Sequence, residues 1–127
     1  MRNILRLLIV VFSIVSYAYT AKAQEPVYDF VSIKKQPEFP GGMIKLFKYI
    51  KGEVKNSKST KTGKVFLSFI VEEDGSLTNM KITRSLGKEE DEEALEIMRK
   101  SPKWIPGEHN GKIVRVKYAL NINFNRQ

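Results

Sequence analysis

Lys64-Val65-Phe66-Leu67-Ser68-Phe69-Ile70-Val71, followed by Glu72-Glu73-Asp74-Gly75-Ser76, decides the fold. Val65, Leu67, Phe69 and Val71 alternate onto one face; Phe66, Ser68 and Ile70 fall on the other. Apolar residues on both faces mark a central strand covered on both sides. Asp74-Gly75 supplies the positive backbone dihedrals of a tight hairpin, so Leu77 to Thr83 should return as an antiparallel neighbour. Met80 and Ile82 share one face of that strand, and Asn79, Lys81 and Thr83 the other. This is the pattern of a half-solvated outer strand.

Downstream, Glu89 to Lys100 reads as a helix. Glu89-Glu90-Asp91-Glu92-Glu93 complements the positive end of its dipole, and Arg99, Lys100 and Lys103 the negative end. Ala94, Leu95, Met98 and Ile97 form its buried stripe. The acids lack the Asp-x-Asp-x-Asp-Gly spacing of a calcium loop, so dipole and solubility roles account for them. Trp104, before Pro106-Gly107, is placed to close the core with its ring. From Lys112 to Phe124 the chain alternates strictly. Val114, Val116, Tyr118, Leu120, Ile122 and Phe124 face one way; Arg115, Lys117, Asn121 and Asn123, with Ala119, face the other. Each inward side chain is worth roughly 1.5–3 kcal/mol when buried. A one-residue slip would expose all of them, so the register is determined.

Upstream, Met43, Leu46, Phe47 and Ile50 stand at helical spacing, with Gly52 as the expected stop. Gln36-Pro37-Glu38-Phe39-Pro40-Gly41-Gly42 is an extended lead into that helix, because proline disfavours helix in the residue before it. Lys45, Lys48 and Lys51 read as its solvated outer face. Lys55 to Thr62 lacks apolar residues and reads as a flexible basic loop. Val27 to Ile33 is rich in β-formers and is the candidate for an extra N-terminal strand. Residues 1–23 carry Arg2 and Arg6, an apolar run from Leu7 to Tyr19, and Ala21-Lys22-Ala23. That is a signal peptide, with an uncleaved anchor as the alternative. The domain order is then 1–23 signal, 24–35 lead segment and 36–127 folded domain.

The chain of 127 residues holds 22 basic and 14 acidic residues and no cysteine. Disulfides, a thiol nucleophile and thiolate metal sites are excluded. Nothing in the sequence assembles a nucleophile, a base or a metal cluster, so we expect no enzyme and no cofactor. The single His109, between Gly107 and Gly111, reads as a solvated loop residue. The basic loop has lysines at 55, 58, 61 and 64 but no interleaved aromatic, which argues against single-stranded nucleic acid.

Ordered together, these motifs resemble the TonB C-terminal domain family. The resemblance covers about Gln36 to Phe124. It rests on Gly63-x-Val65-x-Leu67-x-Phe69-x-Val71, Asp74-Gly75-Ser76 and Ala94-Leu95. Trp104-x-Pro106-Gly107, Gly111-x-x-Val114 and Leu120-x-Ile122-x-Phe124 complete it. It implies an α+β fold in the order α-β-β-α-β, with two helices on one side of a three-stranded antiparallel sheet. It also implies a periplasmic module that grips the TonB box of an outer-membrane transporter by strand addition. The implied binding edge is the backbone of Val114, Arg115, Val116, Lys117, Tyr118, Ala119, Leu120, Asn121, Ile122 and Asn123. A periplasmic partner protein, a homodimer through the same strand, and an anionic envelope polymer on the basic loop are the other readings. Gln24 to Gln36 extends only about 45 Å, at roughly 3.5 Å per residue. We therefore expect no direct bridging of two membranes. Peptide capture requires an unoccupied flank on the final strand; occupation by the lead segment near Tyr28 would overturn it.

Overall fold

The computed structural model describes residues 25–125; the signal-peptide expectation lies outside the described residues. The elements are β1 (Val27–Asp29), a 3-10 turn (Phe30–Ser32), α1 (Met43–Lys55), β2 (Lys64–Val71) and β3 (Leu77–Arg84). They continue with α2 (Lys88–Arg99), β4 (Gly107–His109) and β5 (Lys112–Asn123). The three long strands lie in the order β5-β2-β3 and are antiparallel, with β2 central as expected. Two short strands enlarge the sheet: β1 joins β5 in parallel and β4 joins it antiparallel. The sheet is therefore mixed and five-stranded.

The hairpin turn follows from its sequence. Asp74 Oδ1 accepts from both the backbone N–H and the hydroxyl of Ser76, which holds its carboxyl below the usual range, the hydroxyl bond first. Gly75 sits at φ 85°, and a Cβ there would lie 2.0 Å from the Trp104 carbonyl oxygen. The turn is thus also the seat of the Trp104 backbone, whose N–H donates to Gly75 O at 2.8 Å.

One face of the sheet carries both helices. Val65, Leu67, Phe69, Val71, Tyr118, Ile122 and Phe124 pack there with Leu46, Ile50 and Val54 of α1 and Ala94, Ile97 and Met98 of α2. Tyr49 donates from its hydroxyl to Ile97 O at 2.7 Å, joining the helices. Trp104 is buried, edge-on to Phe39, Phe69 and Tyr118, and closes the core as expected. Among the described residues no helix covers the opposite face. Phe66 is half-exposed there, with the Arg84 guanidinium 5.5 Å above its ring. The expectation of cover on both sides fails for that residue.

Several local expectations are corrected. α1 runs through Gly52 to Lys55, because Val54 is buried in the core and repays the extra turn. Its buried stripe is Leu46, Ile50 and Val54, while Met43 and Phe47 are exposed. Glu90 is buried rather than solvated, its carboxylate 3.6 Å from Lys61 Nζ. The loop from 55 to 62 is anchored by that pair and by Ser57 hydrogen-bonded to Glu93. His109 lies on β4, half-buried, its ring 5.3 Å from that of Tyr28. β3 carries a bulge at Asn79, at φ 50°, that strict alternation did not indicate.

Candidate functional site

Strand β5 is the longest in the molecule, and β2 takes one of its two edges from Val116 to Asn123. Phe124 N–H donates to Gly63 O at 2.8 Å, toward β2. Alternation along an antiparallel ladder then turns the amides of Ile122, Leu120, Tyr118 and Val116 toward β2. Those of Arg115, Lys117, Ala119, Asn121 and Asn123 point to the outer edge.

The outer edge divides into two halves. Along its first half, β1 places Val27, Tyr28 and Asp29 opposite Arg115, Val116 and Lys117. β4 pairs Gly107 to His109 with Val114 to Lys112 on the β2 side instead, because Glu108 turns its own N–H and C=O to Lys35 and the even-numbered amides of β5 face that way. The expectation of a free flank from Val114 onward is thereby corrected: the backbone of Val114 to Lys117 is already paired within the chain. The physical reason is a small second core. Ile33, Val114 and Val116 are buried together, with Tyr28 and Phe30 against them. The Phe30 ring meets Tyr118 edge-on at 5.1 Å. Arg115 adds a polar clasp. Its Nη1 donates to Glu25 O at 2.8 Å while Nε and Nη2 hold the Glu72 carboxylate. The hydrogen bond from Arg115, foremost, draws the Glu72 carboxyl below the usual range.

Along the second half, Tyr118 to Asn123, no strand among the described residues pairs with the outer edge. Helix α1 stands beside it. Tyr118 donates from its hydroxyl to Met43 Sδ at 3.7 Å, and burial raises its pKa. The helix leaves Met43, Ile44 and Phe47 53%, 73% and 61% exposed. These are large apolar side chains left mostly open to solvent. An open groove of roughly 830 Å3 runs between helix and strand, lined by Phe47, Ile50 and Val54 on one side and Asn121 and Asn123 on the other. Lys51, Lys55 and Lys64 complete it, with Asn125.

The sheet's other outer edge, on β3, is different. Its ladder is interrupted by the Asn79 bulge, and Lys81 and Arg84 are exposed along it. Bulges and basic residues are the devices that keep an edge from pairing. The open half of β5 has no bulge and an apolar overhang. Among the described residues no group of three His, Asp or Glu side chains is placed to hold a metal ion, and no helix is long and apolar enough to cross a membrane.

The model of the family described as the Gram-negative bacterial TonB protein C-terminal matches residues 55–126. The chain belongs to the TonB C-terminal family. The curated proteins and the solved structures compared with it include no match. TonB C-terminal domains are non-catalytic interaction domains of the Gram-negative envelope, tied to TonB-dependent transport, and they interact with outer-membrane receptors. The matched span holds β2 to β5, whereas α1, with the exposed Met43 and Phe47, precedes it.

Of the residues read from the sequence as a binding edge, the structure places Ala119, Asn121 and Asn123 with outward amides on an edge that no strand among the described residues pairs. Lys117 and Arg115 also point outward, but toward β1. The groove wall on α1 was missed. Their spacing places Met43 and Phe47 on one helical face with Leu46 and Ile50, and no sequence signal separates a buried stripe from an adjacent exposed one of the same period.

Proposed function

We propose that this TonB-type domain captures an extended segment, the TonB box of an outer-membrane transporter, by strand addition to the open half of β5. One observation carries the reading: a bulge-free strand edge from Tyr118 to Asn123 lies beside a helix with three exposed apolar side chains. Unpaired backbone N–H and C=O groups supply main-chain bonds to any extended chain. Alternate side chains of the visitor then meet Met43 and Phe47, which gives apolar burial in addition to the ladder. The site is a periplasmic one on this reading, and it needs no catalytic group and no cofactor.

The test is a titration of 15N-labelled protein with TonB-box peptides. The expected result is a set of shifts at the amides of Ala119, Asn121 and Asn123 and along α1 near Phe47. Shifts confined to β3, or none, would overturn the proposal. A protein that sediments as a dimer with those same amides protected would assign the edge to self-association instead.

A further inference from the structure

We infer that the outer face of α1 docks on an anionic phospholipid bilayer, Ile44 and Phe47 entering the headgroup boundary and Lys48, Lys51 and Lys55 meeting lipid phosphates. The inference stands apart from strand addition, which uses the neighbouring edge of β5. Ile44, Lys48, Lys51 and Lys55 stand at i, i+4, i+7 and i+11, in one line along the 13-residue helix. All four are exposed, Ile44 to 73%. Phe47 is exposed beside them, at the border with the groove. Among the described residues, none of the three lysines lies within 4.0 Å of a carboxylate.

A solvated outer face accounts for the lysines but not for Ile44, which strand addition does not use either. Like charges three and four apart on a helix repel, and an anionic surface beneath them would relieve that repulsion. The fold also keeps acids away from this face. Glu53, the one acid of α1, is nine residues from Ile44, about two and a half turns on and so on the opposite side of the helix. There Glu53 pairs with Lys100 at 3.5 Å and Tyr49 donates to Ile97 O, so α2 packs against that opposite side. The acids that open α2, Glu89, Glu90 and Asp91, therefore belong to a helix beyond α1 from Ile44.

The mixture of chemistries selects the partner. A soluble polyanion would engage the ammonium groups and leave Ile44 and Phe47 in water. An uncharged apolar partner would take those two and leave the lysines without anions. An anionic bilayer offers both at once, with charge at its surface and acyl chains just below. Lysine stems can lie along the apolar residues while their heads stay at the phosphates. The helix lies on such a surface and goes no deeper, because Leu46, Ile50 and Val54 are held in the core.

The chain has no cysteine, so Ile44→Cys gives one attachment point for a polarity-sensitive fluorophore. Lys81→Cys, exposed on β3 at the far edge of the sheet, gives the comparison. Each labelled full-length chain is mixed with phosphatidylcholine vesicles, with or without phosphatidylglycerol. Any lipid affinity of the apolar run Leu7 to Tyr19 acts on both labels alike, so the difference between positions reports docking. The expected result is a blue shift at position 44 on the anionic vesicles, absent at position 81 and reduced as salt screens the phosphates. K48Q/K51Q/K55Q in the 44-labelled chain should lose the shift, thermal unfolding showing that the variant is folded. No shift at 44, an equal shift at 81, an equal shift on neutral vesicles, or a shift kept by the lysine variant would each overturn the inference. So would a shift at 44 without lipid. Produced by polyphosphate, it would assign the face to an anionic polymer; rising with protein concentration, it would assign the face to a second copy.

Discussion

The two halves of β5's outer edge share one strand, one register and one alternation, yet they meet opposite fates. From Arg115 to Lys117 the edge is closed by β1 and backed by the Ile33, Val114 and Val116 cluster. From Tyr118 to Asn123 no strand among the described residues pairs with it, and it lies beside a helix with exposed apolar residues. The difference does not lie in the strand itself. It lies in what the chain before α1 can reach. The 3-10 turn at Phe30–Ser32 ends the parallel pairing just after Asp29, and the next residues leave to pair with Glu108 and Ile105. An edge is a template wherever it is not covered, so the coverage stops where the lead segment turns away.

The largest expected effect abolishes the contrast altogether. Trp104 supports both halves through Phe39, Phe69 and Tyr118, so Trp104→Ala should cost roughly 3–5 kcal/mol. Urea unfolding should show that loss, and amide exchange should show Val116 and Ile122 losing protection together. If Val116 alone were released, the halves would be separate cooperative units.

A smaller pair of substitutions separates the halves. Lys117→Pro removes an outward N–H on the closed side and should release β1, at about 1 kcal/mol for a lost ladder bond plus local strain. Asn121→Pro removes one on the open side, where proline is tolerated on an edge. It should leave stability nearly intact and weaken peptide binding by about tenfold or more, since one bond is lost and the ring obstructs the visitor. Peptide affinity unaffected by Asn121→Pro would show that the visitor does not use this edge.

Acid should loosen the closed half selectively. The Glu72 carboxyl titrates below its ordinary range because Arg115 hydrogen-bonds its charged form. Its stabilising contribution is therefore complete above the ordinary carboxylate range and is lost as pH falls through the depressed value. Exchange at Tyr28 should accelerate over that fall in the wild type. In Glu72→Gln it should be fast already and flat across the same window.

The smallest effect on stability is expected at Phe47. Because it is 61% exposed, Phe47→Ala should change unfolding by no more than about 0.5 kcal/mol. It should nonetheless weaken peptide capture several-fold, which isothermal titration would measure. A large loss of stability with unchanged binding would return Phe47 to the core and leave the groove without its apolar wall.

The long elements were legible in the chain because each rests on a local rule. Strict period-two alternation set β2 and β5, Asp74-Gly75 set the hairpin, and an acidic start with a basic end set α2. Helix α1 was legible as a helix but not in its facing. Met43, Leu46, Phe47, Ile50 and Val54 form one broad apolar stripe, and only docking on β5 decided that Leu46, Ile50 and Val54 turn inward. Glu90 shows the same limit, since an acid among five becomes buried only when Lys61 arrives from a distant loop.

From its sequence alone this protein was committed to a sheet with a long terminal strand, because burial of alternate side chains along Val114–Phe124 tolerates only one register. How much of that strand's edge remained open was a matter for the tertiary structure alone. It depended on contacts between residues nearly ninety positions apart, Glu25 with Arg115 and Tyr28 opposite Val116. No local pattern encodes such contacts, since each partner's periodicity is satisfied whether or not the two meet.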